Sequence, residues 1–141
     1  MGWSPPTTLS FFGNWILGTR TSGVANGPNT TAKDFAVAAA RIAESRHCTD
    51  IVVLDLTGLS PATDYFVIAT GTSDRQMRTV ADDISQAGRD GDMPRFGRAG
   101  YDQARWILLD FVDVVVHLFD TEYRGYYELE LLWGDAKRID Y

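Results

Sequence analysis

The stretch WILLDFVDVVVHLF at residues 106–119 is the most apolar in the chain, yet it contains Asp110, Asp113 and His117. Two runs of aliphatic residues flank a short segment with aspartates, and this pattern predicts two antiparallel strands joined by a tight turn. Opposed residues of a hairpin point to the same side of the sheet. The position of the turn therefore decides which side chains share a face.

The register of this hairpin depends on the length of its turn. A two-residue turn at 111–112 and a four-residue loop at 110–113 both place Trp106 opposite His117, whereas a three-residue loop would shift the alternation by one residue. In the first two cases one face carries only the aliphatic residues Ile107, Leu109, Val114 and Val116. The other face carries a mixed set: Trp106, Leu108, Asp110, Asp113, Val115 and His117.

This mixed face suits a contact surface for another molecule better than a sealed core. An active site is the alternative, but catalysis needs a nucleophile beside a base, or carboxylates converging on a metal. The sequence contains no G-x-S-x-G, H-E-x-x-H or phosphate-loop motif. His117 is therefore interpreted first as a hydrogen-bonded strand residue, and Asp110 and Asp113 as turn formers. No catalytic residue, metal site or cofactor is predicted.

Length and charge limit the class of protein further. The chain has 141 residues, enough for one domain with a core of ordinary size. Its formal net charge is -6, so most of its surface would repel nucleic acid or an anionic membrane and attract a basic partner. Cys48 is the single cysteine, which excludes an internal disulfide and fits a reducing compartment. No apolar run approaches about 18 residues, so no membrane span is predicted.

Residues 1–30 differ in composition from the remainder of the chain. They contain no Asp or Glu, only Arg20 as a charge, and many Gly, Pro, Ser, Thr and Asn residues. This composition predicts a disordered N-terminal extension, with the globular domain over residues 31–141. A transit peptide would make the location organellar, but one Arg is too few for a good one, so a cytoplasmic location is predicted.

Caps and apolar periodicity predict the order of helices and strands. Thr31 is the predicted N-cap of a first helix, and Ser73 with Gln76 forms the capping box of a second, which is predicted to end at Gly88. Strands are predicted at 51–56, 64–70, about 105–110 and 113–119, with a short one near 95–98, and a closing helix ends near 134. This order predicts a single α/β domain with a mixed sheet of about five strands flanked by helices.

Two blocks of sequence resemble the ribosomal silencing factor S family, also called Iojap-like. WILLDFVDVVVHLF followed by RGYYELELLWGDA is similar to the family's tryptophan, aliphatic strand, Asp-Tyr-Gly-Asp, Val-Val-Val-His and Arg-x-x-Tyr-x-Leu-Glu-x-Leu-Trp. DIVVLDLTGLSPATDYFVIATGTSDRQMRTVADDI is similar to its strand, Ser/Thr-Asp, strand ending in Gly-x-Ser, and helix. The likeness covers about residues 32–136. Departures are Val112 in place of the turn glycine, and Arg-Ala-Gly at 98–100 where the family has Glu-Gly.

The resemblance implies a regulator of translation and not an enzyme. Members of the family bind ribosomal protein L fourteen on the large subunit, sterically block joining of the small subunit, and so lower translation when nutrients are scarce. The negative charge agrees, because an acidic protein near a ribosome favours a basic ribosomal protein over RNA phosphates. The resemblance also implies homodimers; no DNA or membrane partner is predicted.

The predicted partner-binding surface combines the mixed hairpin face with the C-terminal helix. Trp106 is the expected anchor, and Asp110 and Asp113 are the expected partners for Lys or Arg side chains. The full predicted set is Trp106, Leu108, Asp110, Asp113, Val115 and His117 on the hairpin, with Tyr127, Glu130 and Trp133 on the helix.

Two other classes of function stay open. A nucleotidyltransferase-like enzyme would need paired metal-binding carboxylates on a strand soon after the Gly-Thr-Ser at 71–73, where the sequence predicts a helix instead. The other alternative is a homodimeric assembly module that does not bind ribosomes.

Overall fold

A computed structural model describes residues 31–126, 134 and 136–141. The predicted extension, residues 1–30, lies outside the described residues, as do residues 127–133 and 135. The described elements are α1 (Ala32–Ser45), β1 (Thr49–Asp55), β2 (Tyr65–Gly71), α2 (Asp74–Asp90), β3 (Gly97–Ala99), β4 (Trp106–Asp110), β5 (Val114–Asp120), α3 (Thr121–Tyr126) and β6 (Lys137–Arg138).

The strands of the described residues form one six-stranded sheet in the order β3-β4-β5-β2-β1-β6. β2 and β5 are parallel, and every other neighbouring pair is antiparallel. A parallel pair needs a long crossover connection, which α2, β3 and β4 supply between β2 and β5. The predicted α/β domain with a mixed sheet is therefore confirmed, with β6 as an edge strand that the sequence pattern did not predict.

The first helix begins where its capping residue predicts. The Thr31 Oγ1 accepts a hydrogen bond from the Asp34 N–H at 3.1 Å, which satisfies one of the free N–H groups of the first turn of α1. Its buried face consists of Phe35 and small residues, Ala32, Ala36, Ala39, Ala40 and Ala43. Small side chains let the helix axis approach the sheet closely.

The second helix begins as predicted but ends later. The Ser73 Oγ caps α2 by accepting from the Gln76 N–H at 3.1 Å. The prediction that the helix ends at Gly88 is wrong, because α2 continues to Asp90 and Gly91 is its C-cap. A Cβ on Gly88 would lie 2.4 Å from the carbonyl oxygen of residue 93 and 2.8 Å from a ring carbon of residue 111. Close packing, and not a helix terminus, explains this glycine.

Both faces of the sheet are covered, as the strands' apolar sequences predict. On one face α1 and α2 pack against alternate residues of the hairpin: Ile107, Leu109, Val114, Val116 and Leu118. On the other face a second apolar layer contains Leu54, Leu56, Phe66, Ile68, Trp106, Leu108, Val115 and Phe119, against which Tyr123 of α3 packs. None of the described helices is long and apolar enough to cross a membrane.

The hairpin of β4 and β5 has the predicted faces but a different register. Asp110 pairs with Val115, and Trp106 pairs with Phe119, where the predicted partners were Asp113 and His117. The shift is two residues, and because side chains alternate with a period of two, the membership of each face is unchanged. The predicted pairing was wrong because the turn lies one residue further along the chain than a turn at 111–112.

Val112 sits at the centre of this turn with φ at 73°. The Phe111 carbonyl oxygen accepts from the Asp113 N–H at 2.9 Å, and the Phe111 N–H donates to the Val114 carbonyl oxygen at 2.8 Å. A turn in which an N–H donates to the carbonyl two residues earlier is a γ-turn. When its central residue has a positive φ, the γ-turn is of the rare, strained kind. A β-branched residue is poorly suited to this conformation.

Candidate functional site

Four ring systems form a compact cluster on the second face of the sheet. The ring centroids of Trp106 and Phe119 are 4.9 Å apart, and the His117 imidazole lies edge-on to Phe66 with centroids 4.6 Å apart. The Trp106 Nε1–H donates to the His117 Nδ1 at 3.1 Å. A buried indole N–H needs an acceptor, so the histidine gives the tryptophan a way to be buried without losing a hydrogen bond.

His117 is electrically neutral in this cluster at physiological pH. Its side chain is fully buried, and burial lowers its pKa from the ordinary value of 6.5 to about 3. Because Nδ1 accepts from Trp106, the proton of the neutral ring belongs on Nε2. A catalytic base must reach a proton of its substrate, and a wholly buried imidazole does not. The structure therefore favours the structural interpretation of His117 over the catalytic one.

The other apolar members of the predicted partner-binding face are also inside the protein. Trp106 and Val115 are 0% exposed and Leu108 is 1% exposed. The expectation that these residues form a contact surface is corrected, because their side chains are buried in an apolar cluster against which Tyr123 of α3 packs. Their alternation identified the shared face, but it could not show that the face is covered.

The two aspartates near the turn have different surroundings. Asp110 is 1% exposed, and its Oδ1 accepts from the Val112 N–H at 2.8 Å, so its side chain holds the turn from inside. Asp113 is half-buried, and its carbonyl oxygen accepts from the N–H groups of Asp64 and Tyr65 at 3.0 and 3.1 Å. Of the hairpin residues in the predicted set, only Asp113 keeps part of its side chain at the surface.

The predicted helical members of the surface, Tyr127, Glu130 and Trp133, lie outside the described residues. The described helix that precedes them, α3, is held against the sheet by two hydrogen bonds. The Asp120 Oδ1 caps α3 by accepting from the Tyr123 N–H at 2.7 Å, and the Arg124 guanidinium donates to the Thr70 Oγ1 at 3.0 Å. These two bonds fix α3 at the carboxyl ends of the parallel strands β2 and β5.

Neighbouring carboxylates and hydroxyls elsewhere in the described structure bond to separate partners or cap a helix. Asp82 accepts from the Tyr101 hydroxyl at 2.9 Å, and the neighbouring Asp83 accepts from the Arg46 Nε at 2.8 Å, so the two carboxylates bond to different partners. At the start of α2, the Ser73 and Gln76 side chains both take part in capping. Over the described ranges there is no group of three or more His, Cys, Asp or Glu residues that could hold a metal ion.

The chain matches a known family over most of its length. The family model described as "Ribosomal silencing factor during starvation" matches residues 29–141. The chain belongs to the ribosomal silencing factor family. It is 41% identical to a ribosomal silencing factor of Bacillus subtilis over 102 residues, which is 72% of this chain and 86% of that protein.

Relatives of the family occur in bacteria and in chloroplasts. The chain is 36% identical over 128 residues to the chloroplastic protein Iojap of Zea mays, covering 84% of this chain and 54% of that protein. A Chromobacterium violaceum protein of known crystal structure is 28% identical in sequence to this chain. The two structures superpose with a TM-score of 0.71, and the match covers 79% of this chain and 92% of that one. The resemblance seen in the sequence motifs is therefore confirmed, and the chain has the fold of a solved structure.

No functional role was predicted for Arg95, Phe96 and Arg98, which lie together at the outer edge of the sheet. Phe96 is 77% exposed, the largest value among the large hydrophobic side chains of the described residues. The short strand predicted near 95–98 is present as β3, which pairs with β4 at the edge of the sheet. What the sequence pattern did not indicate is that the Phe96 ring would be exposed beside arginine side chains.

Proposed function

We propose that this protein is a translation silencer that binds ribosomal protein L fourteen on the large ribosomal subunit and sterically blocks joining of the small subunit. The observation that carries the proposal is the match to the ribosomal silencing factor family across residues 29–141. The silencer would act by occupying a surface and would carry out no reaction. A cytoplasmic location belongs to this proposal, and the chloroplastic relatives make an organelle the alternative.

The site geometry supports binding over catalysis. The one histidine on the predicted face is buried and uncharged, and its Nδ1 accepts from Trp106. The alternative of a nucleotidyltransferase-like enzyme is weakened, because the segment after Gly71 enters α2 directly and the carboxylates Asp82 and Asp83 of that helix bond to different partners.

Charge supports a basic protein as the main partner. The net charge of -6 gives the protein a long-range attraction for a basic ribosomal protein. The contact that we propose is the hairpin tip and not the whole mixed face, which is supported by the partial exposure of Asp113. The buried residues, Trp106, Leu108, Val115 and His117, would hold that tip in place, and Asp110 would shape its turn.

The proposal is tested by cosedimentation of the protein with purified large subunits. Asp113→Asn removes the charge with little change in shape, and Asp113→Lys reverses it. Both variants are expected to weaken binding, with Asp113→Lys lowering the affinity at least about tenfold because a like charge then faces a basic partner. Glu44→Lys is the matched control, since it makes the same change of charge at an exposed position near the end of α1.

A joining assay then tests the mechanism. Wild-type protein added to large subunits before small subunits should lower the amount of joined ribosome on a sucrose gradient, and Asp113→Lys should lower it less. Thermal unfolding of each variant shows whether the fold is intact.

Failure of the wild-type protein to cosediment would refute the proposed function. If the wild type cosediments and folded Asp113 variants bind equally well, the contact lies elsewhere. If the protein forms a dimer and does not cosediment with large subunits, the alternative of a homodimeric assembly module is supported instead.

A further inference from the structure

An exposed aromatic ring and a group of cations lie together at the β3 edge of the sheet. We call this surface the arginine–aromatic patch; it consists of Arg89, Arg95, Phe96, Arg98 and Tyr101. The Phe96 ring is 77% exposed, yet its backbone is ordered, because its N–H donates to the Asp110 carbonyl oxygen at 2.7 Å. A single exposed hydrophobic side chain is common on protein surfaces, and what distinguishes Phe96 is the group of arginines close to it.

The arginines of the patch are held in place by their own contacts. The Arg95 Nη1 donates to the Ser85 Oγ at 3.2 Å, and the Arg98 guanidinium carbon lies 3.9 Å from the centroid of the Tyr101 ring. Burial, together with the like charges of Arg98 and Arg89, lowers the pKa of Arg95. That mutual repulsion indicates a local concentration of positive charge.

This local charge differs from that of the protein as a whole. The net charge is -6, but the like charges of Arg98 and Arg89 act on Arg95, and Asp82, a carboxylate that opposes them, already accepts from the Tyr101 hydroxyl. Exposed cations beside an exposed ring are the two elements that single-stranded nucleic acid needs, since arginines pair with phosphates and a ring stacks on an unpaired base. A second copy of the chain is a poorer occupant, because a symmetric dimer would place the arginines against one another.

We propose that the arginine–aromatic patch binds a single-stranded segment of RNA, with an unpaired base stacked on Phe96 and neighbouring phosphates paired with Arg95 and Arg98. The RNA would be ribosomal RNA beside the protein-binding site, so its identity rests on the proposed ribosome binding. β3 pairs with β4, which leads into the hairpin tip, so one partner at the tip and another at the patch would lie on adjoining surfaces. The acidic tip would contact the ribosomal protein, and the patch would contact RNA.

The test measures fluorescence anisotropy of a labelled single-stranded RNA of about a dozen nucleotides at several salt concentrations. Wild-type protein should bind, and Phe96→Ala should weaken binding about tenfold, the effect of removing one stacked base. Arg98→Gln should lower the slope of log affinity against log salt by about 0.7, as for one lost contact with a single-strand phosphate. The matched controls are Leu59→Ala, another exposed hydrophobic residue, and Arg138→Gln, on β6 at the opposite edge of the sheet.

Each outcome separates this inference from the proposed function. If the wild type shows no saturable binding to the RNA, or if Phe96→Ala and Arg98→Gln bind like the controls, the RNA patch is refuted even when cosedimentation with large subunits is normal. If the protein binds RNA as expected but does not cosediment, the patch stands and the proposed function fails. A change from dimer to monomer caused by Phe96→Ala, without a change in RNA affinity, would assign the patch to self-association and overturn the inference.

Discussion

Glycine at position 112 is expected to make the protein more stable than alanine at the same position, reversing the usual order. Val112 has φ at 73° in a γ-turn closed by the 2.9 Å bond from the Asp113 N–H to the Phe111 carbonyl oxygen. A left-handed backbone costs a residue with a Cβ about 1–2 kcal/mol, a cost that glycine does not have. Glycine loses about 0.5–1 kcal/mol relative to alanine through its greater freedom in the unfolded chain.

The difference between the two substitutions isolates the backbone effect. Val112→Gly and Val112→Ala both remove most of the valine side chain, so the lost apolar contacts nearly cancel between them. The remaining terms favour glycine by about 1 kcal/mol, which corresponds to about 3–5 °C in Tm for a domain of this size. Urea unfolding gives the free energy directly, provided that the slope with denaturant is the same for both variants.

The same pair of substitutions at Val37 is the matched control. Val37 is half-buried in the middle of α1, where the backbone is helical and glycine should be less stable than alanine by about 1 kcal/mol. The expected result is therefore a reversal of sign between the two positions. If alanine is at least as stable as glycine at position 112 as well, Val112 is not strained and the account of this turn is wrong.

Three more predictions concern the interior. Trp106→Phe should lower the free energy of unfolding by about 2–3 kcal/mol, because it removes the N–H donated to His117 Nδ1 at 3.1 Å and leaves a small cavity; urea unfolding measures this. Gly88→Ala should destabilise by about 1–3 kcal/mol, although alanine is normally better in a helix, because its Cβ would lie 2.4 Å from the Met93 carbonyl oxygen; a Tm equal to or above that of the wild type would contradict this. Between pH 6.5 and about 3 the unfolded chain binds a proton at His117 that the native protein does not bind. The contribution of His117 is therefore complete above pH 6.5 and is lost as pH falls, by up to about 1.4 kcal/mol per pH unit, and the same titration of His117→Gln should show a shallower dependence.

The hairpin shows how far a sequence pattern predicts a site. The alternation along residues 106–119 predicted correctly that Trp106 and His117 share one face and that Ile107 and Leu109 share the other. The faces were correct although the pairing was wrong by two residues. Side chains alternate with a period of two, so a shift by an even number of residues leaves every side chain on the same face. The exact register depended on a γ-turn at Val112, which the preferences of a β-branched residue argue against.

The nature of the site could not be predicted in the same way. A mixed face with Trp106 and His117 is chemically suited both to a partner surface and to a second core layer. The choice depends on what packs against the face, and that includes residues of other elements, such as Phe66 on β2 and Tyr123 on α3. The Trp106–His117 hydrogen bond likewise needs two side chains from different strands at a defined distance.

Several features of this protein were correctly predicted from neighbouring residues and motifs: the caps at Thr31 and Ser73, the alternation of the strands, the α/β class and the family to which the chain belongs. Each of these depends on neighbouring residues or on a series of motifs in order, and the chain carries that information directly. Only the tertiary structure decided that the mixed face is interior and that Gly88 is a packing position. It also decided that Phe96 is displayed beside arginines at a sheet edge. Burial and proximity are properties of several segments together, so they exist only once the segments have been packed.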